Sequence, residues 1–312
     1  MNWRRTTVAA VQGLALVGAV WYLIRAGGSG WAAVAGFAHA PEPVQLLTAS
    51  VLTVATYCFL VASWVTSLAW WGQRLSYRDA ARIWFLTNLA RFVPGAIWQF
   101  AGMSAMAIAH GVSAVAATGA VLLQQVVLLG TGVVLTLALA PRLMLPASFP
   151  ASPVVAALCA AMGAAALTAL LPLVMPALGR FTSRAFRRPL PWPAPPARQF
   201  AAYVVALIAP WLAYGVAFWL FGRAFLGDAA PGLMLAMSAF IASYVAGILV
   251  VIAPAGLGVR EAALVAALSP ALGGEQALFL AVASRLWLVL LEIITALVVT
   301  GMARQSRPAR QS

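Results

Sequence analysis

The sequence predicts an all-α polytopic membrane protein: about six full transmembrane helices plus two re-entrant, broken-helix hairpins in an inverted repeat. Three observations predict it. The 312-residue chain is 64% hydrophobic and only 8% charged, with a mean hydropathy of +0.97, which excludes an ordinary soluble domain. Arginine clusters alternate with arginine-poor segments between the apolar runs. Two of those runs are broken by helix-disrupting residues, one at Pro94 and Gly95, the other at Pro254, Gly256 and Gly258. Broken backbone in a bilayer is tolerated only where protein or a water-filled cavity satisfies it.

The first element is the apolar run after Arg4 and Arg5. It resembles a signal peptide, but its apolar stretch is long and Pro41 follows the Ala38–Ala40 triplet, so it reads as an uncleaved span. Further apolar runs follow at 44–72, 83–109, 114–140, 153–178, 199–226, 232–253, 255–272 and 277–303. Arginines gather at the N-terminus, at 74–82, at 180–198 and at 304–310. The positive-inside rule puts all four clusters, and both termini, in the cytoplasm.

A parity argument then fixes the run at 83–112. A full crossing there would place the five arginines of 180–198 outside. Two crossings need about 60 Å of helix, and thirty residues supply about 45 Å. A hairpin broken at Pro94 and Gly95, entering and leaving on the cytoplasmic side, is the remaining solution. The 41 residues of 232–272 fit either two crossings or a hairpin broken at Pro254–Gly258. The resulting order is span, span, hairpin, span, repeated with opposite orientation. The halves are about 1–145 and 150–312 of one transmembrane domain, 1–312, joined through a cytoplasmic Arg- and Pro-rich linker at 180–198.

The net charge of +13 comes from nineteen arginines, no lysine and six acids. Clusters between spans fit topology and anionic head groups rather than nucleic acid. Cys58 and Cys159 lie inside apolar runs and read as free thiols. No spacing suits a metal, and no phosphate-cradling loop, Ser/His/Asp set or acidic pair is present, so neither cofactor nor enzymatic activity is expected.

Candidate functional residues are the charges and amides set in apolar surroundings. Arg260 and Glu261 open a helix after the glycine turn. They serve either as an interfacial snorkel and a first-turn cap, or as an anion-binding helix start. Arg285 and Glu292, seven residues apart, share a helix face about 10.5 Å apart. That is too far for a local pair, so each is expected to meet a charge on another element, with Glu261 and Arg260 the nearest in sequence. Arg91 is the charge within the first hairpin; Asn88, Gln99 and His110 are its polar neighbours. Arg91 either snorkels to head groups or lines a lipid path. Gln124 and Gln125 read as interhelical hydrogen-bonding residues, and the tryptophans as packing or aromatic-belt residues.

The run from Pro254 through Gly256, Gly258, Arg260 and Glu261, with Arg285 and Glu292 beyond it, resembles the C-terminal signature of the lysylphosphatidylglycerol synthase transmembrane-region family. Pro94 and Gly95, followed by Gly102 and Gly111, are similar to its N-terminal signature. Ala255 stands where many members have a second glycine. In two-part members a separate soluble domain carries lysyl transfer, and the residues up to Ser312 hold none. The resemblance therefore implies lipid translocation rather than aminoacyl transfer, with a polar-headed phospholipid or polyprenyl-type lipid as cargo. It implies a substrate site of Arg91, Gln99, Arg260, Glu261, Arg285 and Glu292 in a bacterial inner-membrane protein. The alternative is a non-transporting accessory protein that recruits a lipid-modifying enzyme. Homo-oligomerisation is a further possible partnership.

Overall fold

The computed structural model describes residues 41–92, 98–139, 192–193, 195–250, 256 and 258–305, with isolated positions between 162 and 184. Among the described residues there is no strand. The helices are α1 (Pro43–Trp70), α2 (Tyr77–Asn88), α3 (Trp98–Ala109), α4 (Ala114–Leu139), α5 (Ala197–Ala206), α6 (Ala209–Leu226), α7 (Leu233–Leu249), α8 (Val259–Leu272) and α9 (Gly274–Gln305). The first predicted span, the run at 153–178 and the breaks at Pro94, Gly95 and Pro254 lie outside the described residues or nearly so.

Local chemistry explains the boundaries. Glu42 caps α1, its carboxylate accepting from the N–H groups of Val44 and Gln45, while Pro43 takes the first helical position, where it needs no N–H partner. Ser76 caps α2 by accepting from the Asp79 N–H. Pro210 opens α6 two residues beyond α5, so the apolar run 199–226 is two helical pieces rather than one. The hairpin's first arm starts at Tyr77, six residues before the apolar run does. The cap at Ser76 sets its start, and Arg78 and Arg82 therefore ride on the arm itself.

Four segments are long and apolar enough to cross a membrane: α1, α4, α5 with α6, and α9. The remaining helices are shorter. Arms α2 and α3 have 12 residues each, α7 has 17 and α8 has 14, or about 18 to 25 Å against a hydrocarbon thickness of ~30 Å. These lengths favour a hairpin at 232–272 over two full crossings.

Contacts at the helix ends orient the two hairpins. The turn before α2 meets the turn after α3, where the Ser113 N–H donates to Gln73 Oε1 at 3.1 Å. Trp70, at this end of α1, also packs against Phe200 at the start of α5. At the opposite end of α1 the Glu42 N–H donates to the Ala224 carbonyl near the end of α6. There Phe225 of α6 packs on Phe279 of α9, so α7 leaves and α9 begins at that end. The first hairpin thus opens at one end of the molecule and the second at the other. Exposed Arg74 and Arg78 mark the first end, with Arg198; exposed Glu42, Asp228 and Glu275 mark the second.

The neighbour relations repeat between the halves. Helix α1 packs on α2 as α6 packs on α7; α2 on α3 as α7 on α8; α3 on α4 as α8 on α9; and α2 meets α9 as α7 meets α4. Close helix approach uses small residues, as expected in lipid. Gly132 of α4 faces Trp211 and Val245, and Gly215 of α6 faces Met237. Two apolar clusters result. One gathers Trp64, Ile83, Phe85 and Met103 with Phe200. The other gathers Phe218, Phe221, Phe240, Leu268 and Phe279.

Candidate functional site

A cavity of about 340 Å³ lies where the two clusters meet. Helical periodicity builds it: one face of each helix is presented to it. From α9 come Arg285, Leu288 and Glu292; from α7 Phe240, Tyr244, Gly247 and Ile248; from α4 Val121, Gln124, Gln125 and Leu128. Tyr57 and Leu60 of α1, Trp84 and Asn88 of α2, Gln99 and Met103 of α3, and Arg260 of α8 complete the wall. Both hairpins therefore reach the same cavity from opposite ends.

The glycine turn before α8 sets the position of Arg260. Gly256 has φ +67°, and a Cβ there would come within 2.7 Å of Gly247 Cα and 2.9 Å of its carbonyl oxygen. The turn thus rests backbone against backbone on α7, which only glycine permits. Gly258, with φ +80°, then starts α8. Arg260, on the next turn, is buried, and its guanidinium lies 4.8 Å from the centres of both the Phe240 and Tyr244 rings. Two ring faces offset part of the cost of burying that charge, at about 0.5–2 kcal/mol per contact.

Glu261 points the other way round the helix start. Its Oε2 accepts from the Gly258 N–H at 2.8 Å, and its Oε1 lies 3.7 Å from Arg285 Nε. The carboxylate is both the first-turn cap and the counter-charge of an arginine on α9. The two readings of Glu261, cap and charge partner, hold together. Glu292, 2% exposed, accepts from the Tyr57 hydroxyl at 3.2 Å, tying α9 to α1.

On the first hairpin the Gln99 amide donates to Asn88 Oδ1 at 2.9 Å, linking its two arms. Gln124 donates to the Leu60 carbonyl and Ser63 Oγ of α1, the interhelical role expected of it. His110 is exposed at the end of α3 and bonds the Met106 carbonyl, away from the cavity. Cys58 is a free thiol; Cys159 lies outside the described residues, as does the side chain of Arg91. Among the described residues no group of three or more His, Cys, Asp or Glu side chains is placed to hold a metal.

Of the sequence-predicted site residues, Gln99, Arg260, Arg285, Glu292 and Gly256 line the cavity, and Glu261 is joined to it through Arg285. Sequence reasoning missed Tyr57, Tyr214, Phe240 and Tyr244. Aromatic residues in an apolar run carry no polarity signal. The spacing of Phe240, Tyr244 and Gly247, one helix face just before the break, is the signal that points to them.

A search of curated proteins returns no match to the chain. The family model described as the lysylphosphatidylglycerol synthase TM region matches residues 8–295. That match covers both hairpins, the cavity and most of α9, so the chain belongs to the lysylphosphatidylglycerol synthase transmembrane-region family.

Proposed function

We propose that this protein translocates a polar-headed lipid, of phospholipid or polyprenyl type, across the bacterial inner membrane. The family ties the chain to membrane lipids, and the observation that carries the reading is the cavity itself. Two arginines and a glutamate line it, each buried to 5% exposure or less, in a frame whose hairpins open at opposite ends. A charge in hydrocarbon costs at least about 2.5–3.5 kcal/mol, so such a cluster is retained for a polar occupant. Arg260 and Arg285 offer charge to a phosphate; Glu261 and Glu292 balance them when the cavity is empty. The head group crosses through the polar seam while the tails stay in lipid. The frame is read as an inverted repeat of six spans and two hairpins, with cytoplasmic termini and sites at the midplane where broken helices meet. No step requires catalysis, and the protein is read as a transporter rather than an enzyme.

Reconstitution with fluorescent phospholipids tests this. The wild type is expected to accelerate exchange between leaflets, and Arg260→Ala and Glu261→Ala to abolish at least nine-tenths of that rate. Unchanged rates in both variants would remove the site assignment. An inactive wild type that still captures a lipid-modifying enzyme through 180–198 would favour the accessory role.

A further inference from the structure

The cavity has a second pole, and its chemistry is not that of a phosphate site. Asn88 is 2% exposed, yet its Nδ2 has no hydrogen-bond partner among the described residues. A buried amide nitrogen without an acceptor costs about 1–3 kcal/mol, and in a cavity wall this marks a donor held for an occupant. The Asn88 carbonyl is already taken by the Gln99 amide, so the pair presents its other edge: two N–H donors from Asn88 beside the carbonyl acceptor of Gln99. Across the cavity Gln124 spends both donors on α1, which leaves its carbonyl as an acceptor, and Gln125 lies beside it in the wall.

Uncharged donors and acceptors set side by side suit hydroxyl groups, each of which donates one hydrogen bond and accepts others. They offer nothing specific to an ammonium or to a bare phosphate. The described charges of the site all come from α8 and α9, whereas α2, α3 and α4 supply the amides. We infer that the amide pole formed by Asn88, Gln99, Gln124 and Gln125 reads neighbouring hydroxyls, so that the transported lipid is a phosphodiester with a polyol head group, a glycerol or a sugar. This rests on the translocation reading and names the substrate class of the same cavity.

The test is a binding panel on the intact protein in detergent, read by ligand-induced thermal shift and by native mass spectrometry. The ligands are short-chain phosphatidylglycerol, a short-chain isoprenyl-phosphate hexose, phosphatidic acid and phosphatidylethanolamine. At least one of the two polyol lipids is expected to bind about tenfold tighter than phosphatidic acid and phosphatidylethanolamine. Which of the two prevails tells glycerol from sugar. Asn88→Leu is expected to erase that preference while leaving phosphatidic acid affinity within about threefold. Equal binding of all four lipids by the wild type would overturn hydroxyl recognition while leaving lipid translocation standing. Binding of none, with no leaflet exchange, would remove both. The wild-type panel decides the matter even if the variant fails to fold.

Discussion

At the scale of single residues, the site depends on a few atoms with no room to change. Gly256 sits against the backbone of α7, and its φ of +67° is unfavourable for any side chain. Gly256→Ala is expected to destabilise the protein by about 1–3 kcal/mol, from strain and clash together. Thermal denaturation in detergent would register this as a lowered midpoint. Glu261 has two duties, so its substitutions should separate them. Glu261→Gln keeps an oxygen for the Gly258 N–H and loses only the counter-charge of Arg285. Glu261→Ala loses both, and its extra cost should be about 1 kcal/mol, the value of a helix cap; paired melting curves measure it. Arg260 is held between two aromatic faces, a role suited to a planar guanidinium. Arg260→Lys is therefore expected to lose leaflet-exchange activity nearly as fully as Arg260→Ala.

At the scale of helices and hairpins, the decisive feature is which ends meet. The Gln73–Ser113 bond closes the first hairpin at the arginine-rich end, and the Phe225–Phe279 contact closes the second at the other. In a background with Cys58 and Cys159 replaced by serine, single cysteines at Arg74 and His110 should label from the cytoplasmic side only. Cysteines at Asp228 and Glu275 should label from the opposite side only. Labelling of Arg74 and His110 from opposite faces would show α2 and α3 to be a crossing. Much of this was legible in sequence because arginine placement and helix length are local quantities. The first hairpin followed from both. The second stayed ambiguous because 41 apolar residues satisfy either topology; the lengths of α7 and α8 favour one.

For the molecule as a whole, the same division holds. Charges in an apolar chain announce themselves, so Arg260, Arg285 and Glu292 were found, and their common cavity confirms that they belong together. The aromatic partners Phe240 and Tyr244 were not found, since ring faces that hold a guanidinium look in sequence like any buried stripe. Nor did the sequence announce that Asn88 would be left with an open donor, which depends on Gln99 arriving from the other arm. Such complementarity is a property of three-dimensional neighbours, and no periodicity encodes it.

The composition of the charge cluster carries an electrical consequence. Arg260, Arg285, Glu261 and Glu292 sum formally to zero, and three of the four are deeply buried. Moving an elementary charge through the full membrane potential is worth about 2.3 kcal/mol per 100 mV, but a neutral cluster moves without that work. The hairpins can then rearrange at the same energetic cost at rest or under an imposed potential. Any voltage sensitivity of transport would reflect the charge of the lipid carried. In proteoliposomes with a potassium-diffusion potential, exchange of a neutral or zwitterionic lipid should be unaffected by the sign of the voltage, whereas an anionic lipid should move faster toward the positive side.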